Sequence, residues 1–172
     1  MAFKGPAYLK TTWAFEERPV ASAKLNTWDD RIEGALELVF LFISQSWRNE
    51  DGILRGAASN LAVQATATPG LAVTVAPGYA LIGGFPYQLT DPTETVDVIP
   101  PSTEDRVDLV QARLDTWGVS IKTGIEAAEP AAPTPGSDCI ALAELYLRPG
   151  MTAIKNADDA TNGYITDART FL

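Results

Sequence analysis

The chain has no histidine and a single cysteine in 172 residues. Without imidazole it can build neither a Ser-His-Asp nor a Cys-His nucleophile, it has no histidine metal ligand, and Cys139 has no base to activate it. One cysteine also forbids an internal disulfide, so Cys139, beside the apolar run Ile140 to Leu147, reads as a buried free thiol. Basic residues are scarce: 13 Lys and Arg against 22 Asp and Glu give a net charge of -9. No Lys/Arg cluster compensates locally, which argues against a phosphate-backbone footprint and so against nucleic acid as a partner. Long apolar runs are missing as well. The longest, Leu38 to Ile43, falls far short of the roughly 20 residues of a membrane-spanning helix, so no membrane insertion is expected. The N-terminal MAFKGPAYLK has neither the apolar stretch nor the cleavage site of a secretory signal, and the product is expected to stay where it is made.

What remains is 46% hydrophobic and 20% charged, the composition of a folded, soluble chain. The length suits one domain, or one domain with an appended arm. Residues 1–20 interleave Gly5, Pro6 and Pro19 with Phe3, Tyr8, Trp13 and Phe15 and show no sustained period. They are expected to form an extended arm whose aromatics attach to a neighbour or fold back on the chain's own domain, since scattered large apolar groups are costly to leave in water.

A helix is predicted from Thr27 through Arg48. Thr27-Trp28-Asp29-Asp30 places a hydroxyl and then carboxylates where a first turn has orphan amides and a positive dipole end. Ile32, Leu36, Val39 and Ile43 recur at helical spacing on one face, and Leu38, Phe40, Leu41 and Phe42 fill much of the remaining circumference. Each large side chain left in water forgoes about 1.5–3 kcal/mol of burial. The helix therefore needs company, from copies of itself or from the chain's own sheet on one side and a partner subunit on the other, the alternative being a core helix of a monomer; Ile32, Leu36, Val39, Phe40, Ile43 and Trp47 are the predicted oligomerisation residues. The arm and helix make up residues 1–56.

From Leu61 the period changes to two, and residues 57–172 read as a β-rich domain. Strands are expected over Leu61–Ala67, Leu71–Val75, Tyr79–Ile82, Phe85–Leu89, Thr93–Ile99, Val107–Leu114, Trp117–Thr123 and Ile140–Leu147. Gly83-Gly84 supplies a tight hairpin turn, and Pro86 belongs on an edge because it cannot donate to a ladder. Glu126 to Pro135, with Pro130 and Pro133, reads as an extended polyproline-like crossover, and the residues after Gly150 as mostly loop. The fold class is mainly β: an antiparallel β-sandwich or partly open barrel, preceded by an extended arm and one long α-helix.

Candidate chemistry is thin. The carboxylate pairs Glu16/Glu17, Asp29/Asp30, Glu104/Asp105 and Glu126/Glu129 fall in an arm, a helix cap or loops, where capping and solvation explain them better than glycoside hydrolysis. Asp158, Asp159, Asn162 and Asp167 crowd oxygen ligands but lack the glycine and closing glutamate of an EF-hand loop. Tyr79, Phe85, Tyr87 and Trp117 would stack on sugar rings if they shared an exposed face; on strands such residues more often pack. No catalytic residue, metal or cofactor is expected.

The segments DRVDLVQARLD, GIEAAEPAAPTPG, IALAELYLRPGMTAI and ITDART, with LAVTVAPGYALIGGFPYQL upstream, follow one another in an order that resembles a β-rich module of tailed-bacteriophage virion proteins. The resemblance covers residues 61–169. It implies a non-enzymatic subunit of a baseplate, tail fibre or spike, located in the virion after assembly in the host cytoplasm. Homotrimers and attachment to other tail or baseplate proteins are common in such modules. A distal receptor-binding domain follows in many relatives, whereas the sequence stops at Leu172, which favours an adaptor or anchor. The alternative is a receptor-binding module that recognises host-surface glycans.

Overall fold

The computed structural model describes residues 22–46 and 50–172, apart from Ala57. It divides into two compact units, Met1–Asn49 and Glu50–Leu172. The division falls at Asn49/Glu50 and not at 56/57, because Gly52 and Ile53 are already buried as a strand of the second unit.

In the first unit α1 spans Ser22–Ser46. It starts five residues before Thr27, which corrects the predicted start. The Thr27 hydroxyl donates to the Ala23 carbonyl one turn back at 2.8 Å, so it is satisfied inside the helix and caps nothing. Ala23, Lys24 and Leu25 are good helix formers that extend the element toward its N-terminus.

The second unit contains β1 (Gly52–Ile53), β2 (Val63–Ala65), β3 (Val73–Val75), β4 (Gly78–Ile82), β5 (Phe85–Leu89), β6 (Thr93–Glu94), β7 (Arg106–Arg113), β8 (Gly118–Lys122), β9 (Cys139–Leu147), β10 (Ile154–Lys155) and β11 (Gly163–Asp167). They form three sheets, ordered β1-β4-β5, β2-β3-β6 and β10-β11-β9-β7-β8. Every pairing is antiparallel except β10 with β11. The result is mainly β and sandwich-like, with no closed barrel. Ile53, Val73, Ile82, Val110, Leu142 and Leu145 meet in one core.

Gly83 and Gly84 take positive φ at the β4–β5 turn, and Pro86 lies on β5, an edge strand, both as predicted. Two expectations need correction. The strand foreseen over Thr93–Ile99 is only Thr93–Glu94, and Val96 and Ile99 are highly exposed. The C-terminal stretch is not mostly loop: β11 pairs with β9 over Tyr164–Asp167, and Phe171 bridges Ile53.

Strand β7 is buried on both faces up to Ala112, and its two coverings differ. On one face Val110 and Ala112, opposite Ala143 and Ile140 of β9 and Ile121 and Val119 of β8, join the core. A bulge on β9 at Leu142 keeps both Leu142 and Ala143 buried, resetting the alternation. The other face carries Val107, Leu109 and Gln111, and the irregular segment after β8 runs over it. Gly136 N donates to Gln111 Oε1 at 3.0 Å, Lys122 Nζ donates to the Thr134 carbonyl at 2.8 Å, and a Cβ at Gly124 would sit 2.0 Å from the Val107 carbonyl oxygen. Gly124 is therefore a close-approach glycine, and the proline-rich segment is a lid on the sheet and not a strand of it.

One buried ion pair fixes this end of the sheet. Arg106 Nε and Nη2 donate to Asp108 Oδ1 and Oδ2 at 2.7 and 3.0 Å, Nη2 also donates to the Ile99 carbonyl, and Gly124 N donates to Asp108 Oδ1. The carboxylate thus ties the chain before β7 to the chain after β8. Such a pair contributes specificity when its hydrogen bonds are complete and is costly when one partner is removed.

Candidate self-association surface

Helix α1 is long, about 38 Å at 1.5 Å per residue, yet its own sequence supports it poorly. No acidic residue occupies its first turn and no basic residue its last, so neither end complements the macrodipole. Helices in proteins draw most of their stability from packing an apolar face. That face is visible: Leu25, Ile32, Leu36 and Val39 keep 44%, 37%, 49% and 42% of their surface in solvent, and Trp28 is exposed beside them. Phe40 and Ile43 are half-buried.

Ile32, Leu36, Val39, Phe40 and Ile43 all belong to this helix, as the sequence indicated. The predicted Trp47 and the arm residues Phe3, Tyr8, Trp13 and Phe15 lie outside the described residues. Leu25 and Trp28, which sequence reasoning left out, lengthen the stripe by a full heptad. Their spacing of seven and four from Ile32 was the available signal, but Thr27, which lies between them, has the chemistry of a helix cap.

The second unit offers few reactive groups. Cys139 is half-buried at the start of β9, and its Sγ donates to the Ser137 carbonyl; it is not the buried thiol expected. Burial still pushes its pKa up, away from a reactive thiolate. The crowded oxygens of the last loop are already occupied. Asp159 accepts from Thr161 N, Asn162 N and Asn162 Nδ2, which holds its carboxyl down at about 2. Asp158 accepts from Ala160 N and Arg148, and Asp167 takes a two-point contact from Arg169. Glu126 caps the turn after Pro101 by accepting from Ser102 N and Thr103 N, and its carboxyl is lowered accordingly. Among the described residues no cluster of three or more His, Cys, Asp or Glu side chains is arranged to hold a metal ion.

The aromatics do not form one platform. Tyr87 is only 1% exposed, its hydroxyl donates to the Gly118 carbonyl at 3.0 Å, and burial pushes its pKa up to about 12. Trp117, held at a positive φ, stacks over it with ring centroids 6.2 Å apart and leaves 56% of its surface exposed. Tyr79 precedes Ala80, the register partner of Tyr87, so it points to the opposite face of its sheet. Tyr146, Tyr164 and Arg148 form a separate stack, closed by Asp105 on the Tyr146 hydroxyl and Asp158 on the guanidinium.

Every buried side-chain nitrogen or oxygen in the described residues has a partner, and none of the described helices is long and apolar enough to cross a membrane. On α1, by contrast, four large aliphatic side chains at helical spacing stay partly in water together. No protein-family model matches the chain, and no curated protein or solved structure matches it.

Proposed function

We propose that the chain is a non-enzymatic structural subunit of a tailed-bacteriophage virion, an adaptor or anchor in a baseplate, tail fibre or spike, that assembles with copies of itself through α1. One observation carries the assembly: Leu25, Ile32, Leu36 and Val39 line one side of a 25-residue helix and remain 37–49% exposed in the single chain. The virion assignment is supported by the ordered segments from residue 61 to residue 169 that resemble phage modules. A homotrimer bound to other tail or baseplate proteins is the assembly this reading favours.

Sedimentation velocity tests it directly. The unaltered protein should sediment as an oligomer, and Leu36→Asp with Ile43→Asp should convert it to monomer while the β unit stays folded by far-UV circular dichroism. An unaltered protein that remains monomeric at high concentration overturns the reading. Specific hits on a glycan array that vanish with Trp117→Ala would favour the receptor-binding alternative, since Trp117 is the exposed member of the aromatic stack.

A further inference from the structure

Helix α1 is asymmetric both along its length and around its girth, and the two asymmetries agree. Every charged residue, Lys24, Asp29, Asp30, Arg31, Glu33 and Glu37, lies in its first sixteen positions, and none occurs from Leu38 to Ser46. Around the girth, Leu25, Ile32 and Val39 repeat at intervals of seven, with Trp28, Ala35 and Phe42 completing an a/d pattern. One flank of this seam then carries Lys24, Arg31 and Leu38 at the g positions. The other carries Asp29, Leu36 and Ile43 at the e positions.

We infer that copies of the chain associate with their α1 helices parallel and in register; this rests on the assembly proposed above and adds its direction. In a parallel arrangement the g flank of one helix meets the e flank of the next, five residues further on. Lys24 then meets Asp29 of a second copy, Arg31 lays its aliphatic stem along Leu36, and the apolar positions 38 and 43 fall opposite each other. Charge meets opposite charge at the N-terminal end, and apolar meets apolar at the C-terminal end.

The antiparallel alternative brings like flanks together and runs them in opposite directions. It sets Asp29 against position 43 and Lys24 against position 38 of the partner, so charge lies against a stretch of helix that has none, and it brings the two Arg31 side chains together. Desolvating a charge there, with no opposite charge gained from the second helix, is the more costly arrangement. Because e–g pairing closes for two copies or three, the direction does not depend on copy number.

Disulfide trapping on the full chain, in a Cys139→Ser background, reads the direction. Trp28→Cys alone and Val39→Cys alone should each oxidise to covalent dimers, because d meets d and a meets a in a parallel seam, and a mixture of the two variants should give little product that links position 28 of one chain to position 39 of the other. Mixed dimers without self-linked ones overturn the parallel assignment and leave self-association standing. Monomeric sedimentation of the unaltered protein overturns both. A charge exchange avoids placing cysteines in the seam: Lys24→Glu or Asp29→Lys alone should weaken association about two- to fivefold, and the double exchange should restore it. Residues five apart do not face each other within one helix, so restoration identifies a contact between copies, and failure to restore counts against the parallel register.

Discussion

The β unit covers its core on both faces of β7 and pairs its buried polar side chains, whereas helix α1 has no charged complement at either end and keeps a stripe of large aliphatic residues in water. The difference lies in layering. A sheet buried between a second sheet and a lid has both of its faces covered, and one helix needs neighbours to cover its apolar stripe.

The largest effect should come from breaking the β unit from within. Asp108→Ala leaves the Arg106 guanidinium buried without its carboxylate and frees Gly124 N and the chain around Ile99. Loss of one member of a buried pair costs about 3–5 kcal/mol, so the urea midpoint of the β unit should fall steeply. A variant as stable as the unaltered chain would show that the pair is not what ties β7 to its lid.

The next effect concerns dilution and sharpens the contrast. If α1 is held by other copies, its helical signal should melt in a transition that depends on protein concentration, by about 1.4 kcal/mol per tenfold dilution for a dimer. The β transition should not move with concentration. Two transitions that shift together on dilution would mean that the units stand or fall as one.

A smaller effect is expected at the seam between the first and last strands. Ile53 N donates to the Thr170 carbonyl, Leu172 N donates to the Ile53 carbonyl, and Arg55 Nε donates to the Leu172 oxygen. Deleting Thr170–Leu172 removes all three bonds and uncovers Gly52, at a cost of about 1–3 kcal/mol on net hydrogen-bond values. Calorimetry of the deletion variant checks this, and an unchanged melting temperature would show that the last residues are ornamental.

Much of this contrast was legible in the residues. Alternation revealed β7, β8 and β9, because long strands with one regular core face leave a period-two trace, and Gly83-Gly84 marked its turn because only positive φ closes it. The apolar arc of α1 was equally plain. What escaped detection had weak local signals. β1 is two residues long and is held by Leu81, Ala80 and the distant Phe171. β11, GYITD, is short and polar, and it becomes a strand because the edge of β9 is there to receive it. The start of α1 was misplaced because Thr27 has the chemistry of a cap, and only the Ala23 carbonyl shows where its hydroxyl is used. The sugar platform failed for a related reason: composition supplied the aromatics, but register sent Tyr79 and Tyr87 to opposite faces.

The smallest predicted effect separates the units by acidity. In the β unit, Asp159 is held at about 2, chiefly by the Asn162 side chain and backbone amides, and Asp167 is lowered chiefly by Arg169. A carboxyl depressed in the folded state stabilises it fully above the unfolded value near 4, and that contribution is lost as pH falls through the folded value. The β unit should therefore lose stability between about pH 4 and about 2, and only modestly, since these groups sit near solvent. Asp159→Ala should flatten the lower part of that decline, and carboxyl chemical shifts should place the Asp159 midpoint at about 2. A decline of the same depth in the Asp159→Ala variant would show that the remaining depressed carboxyls, Asp167 among them, carry it.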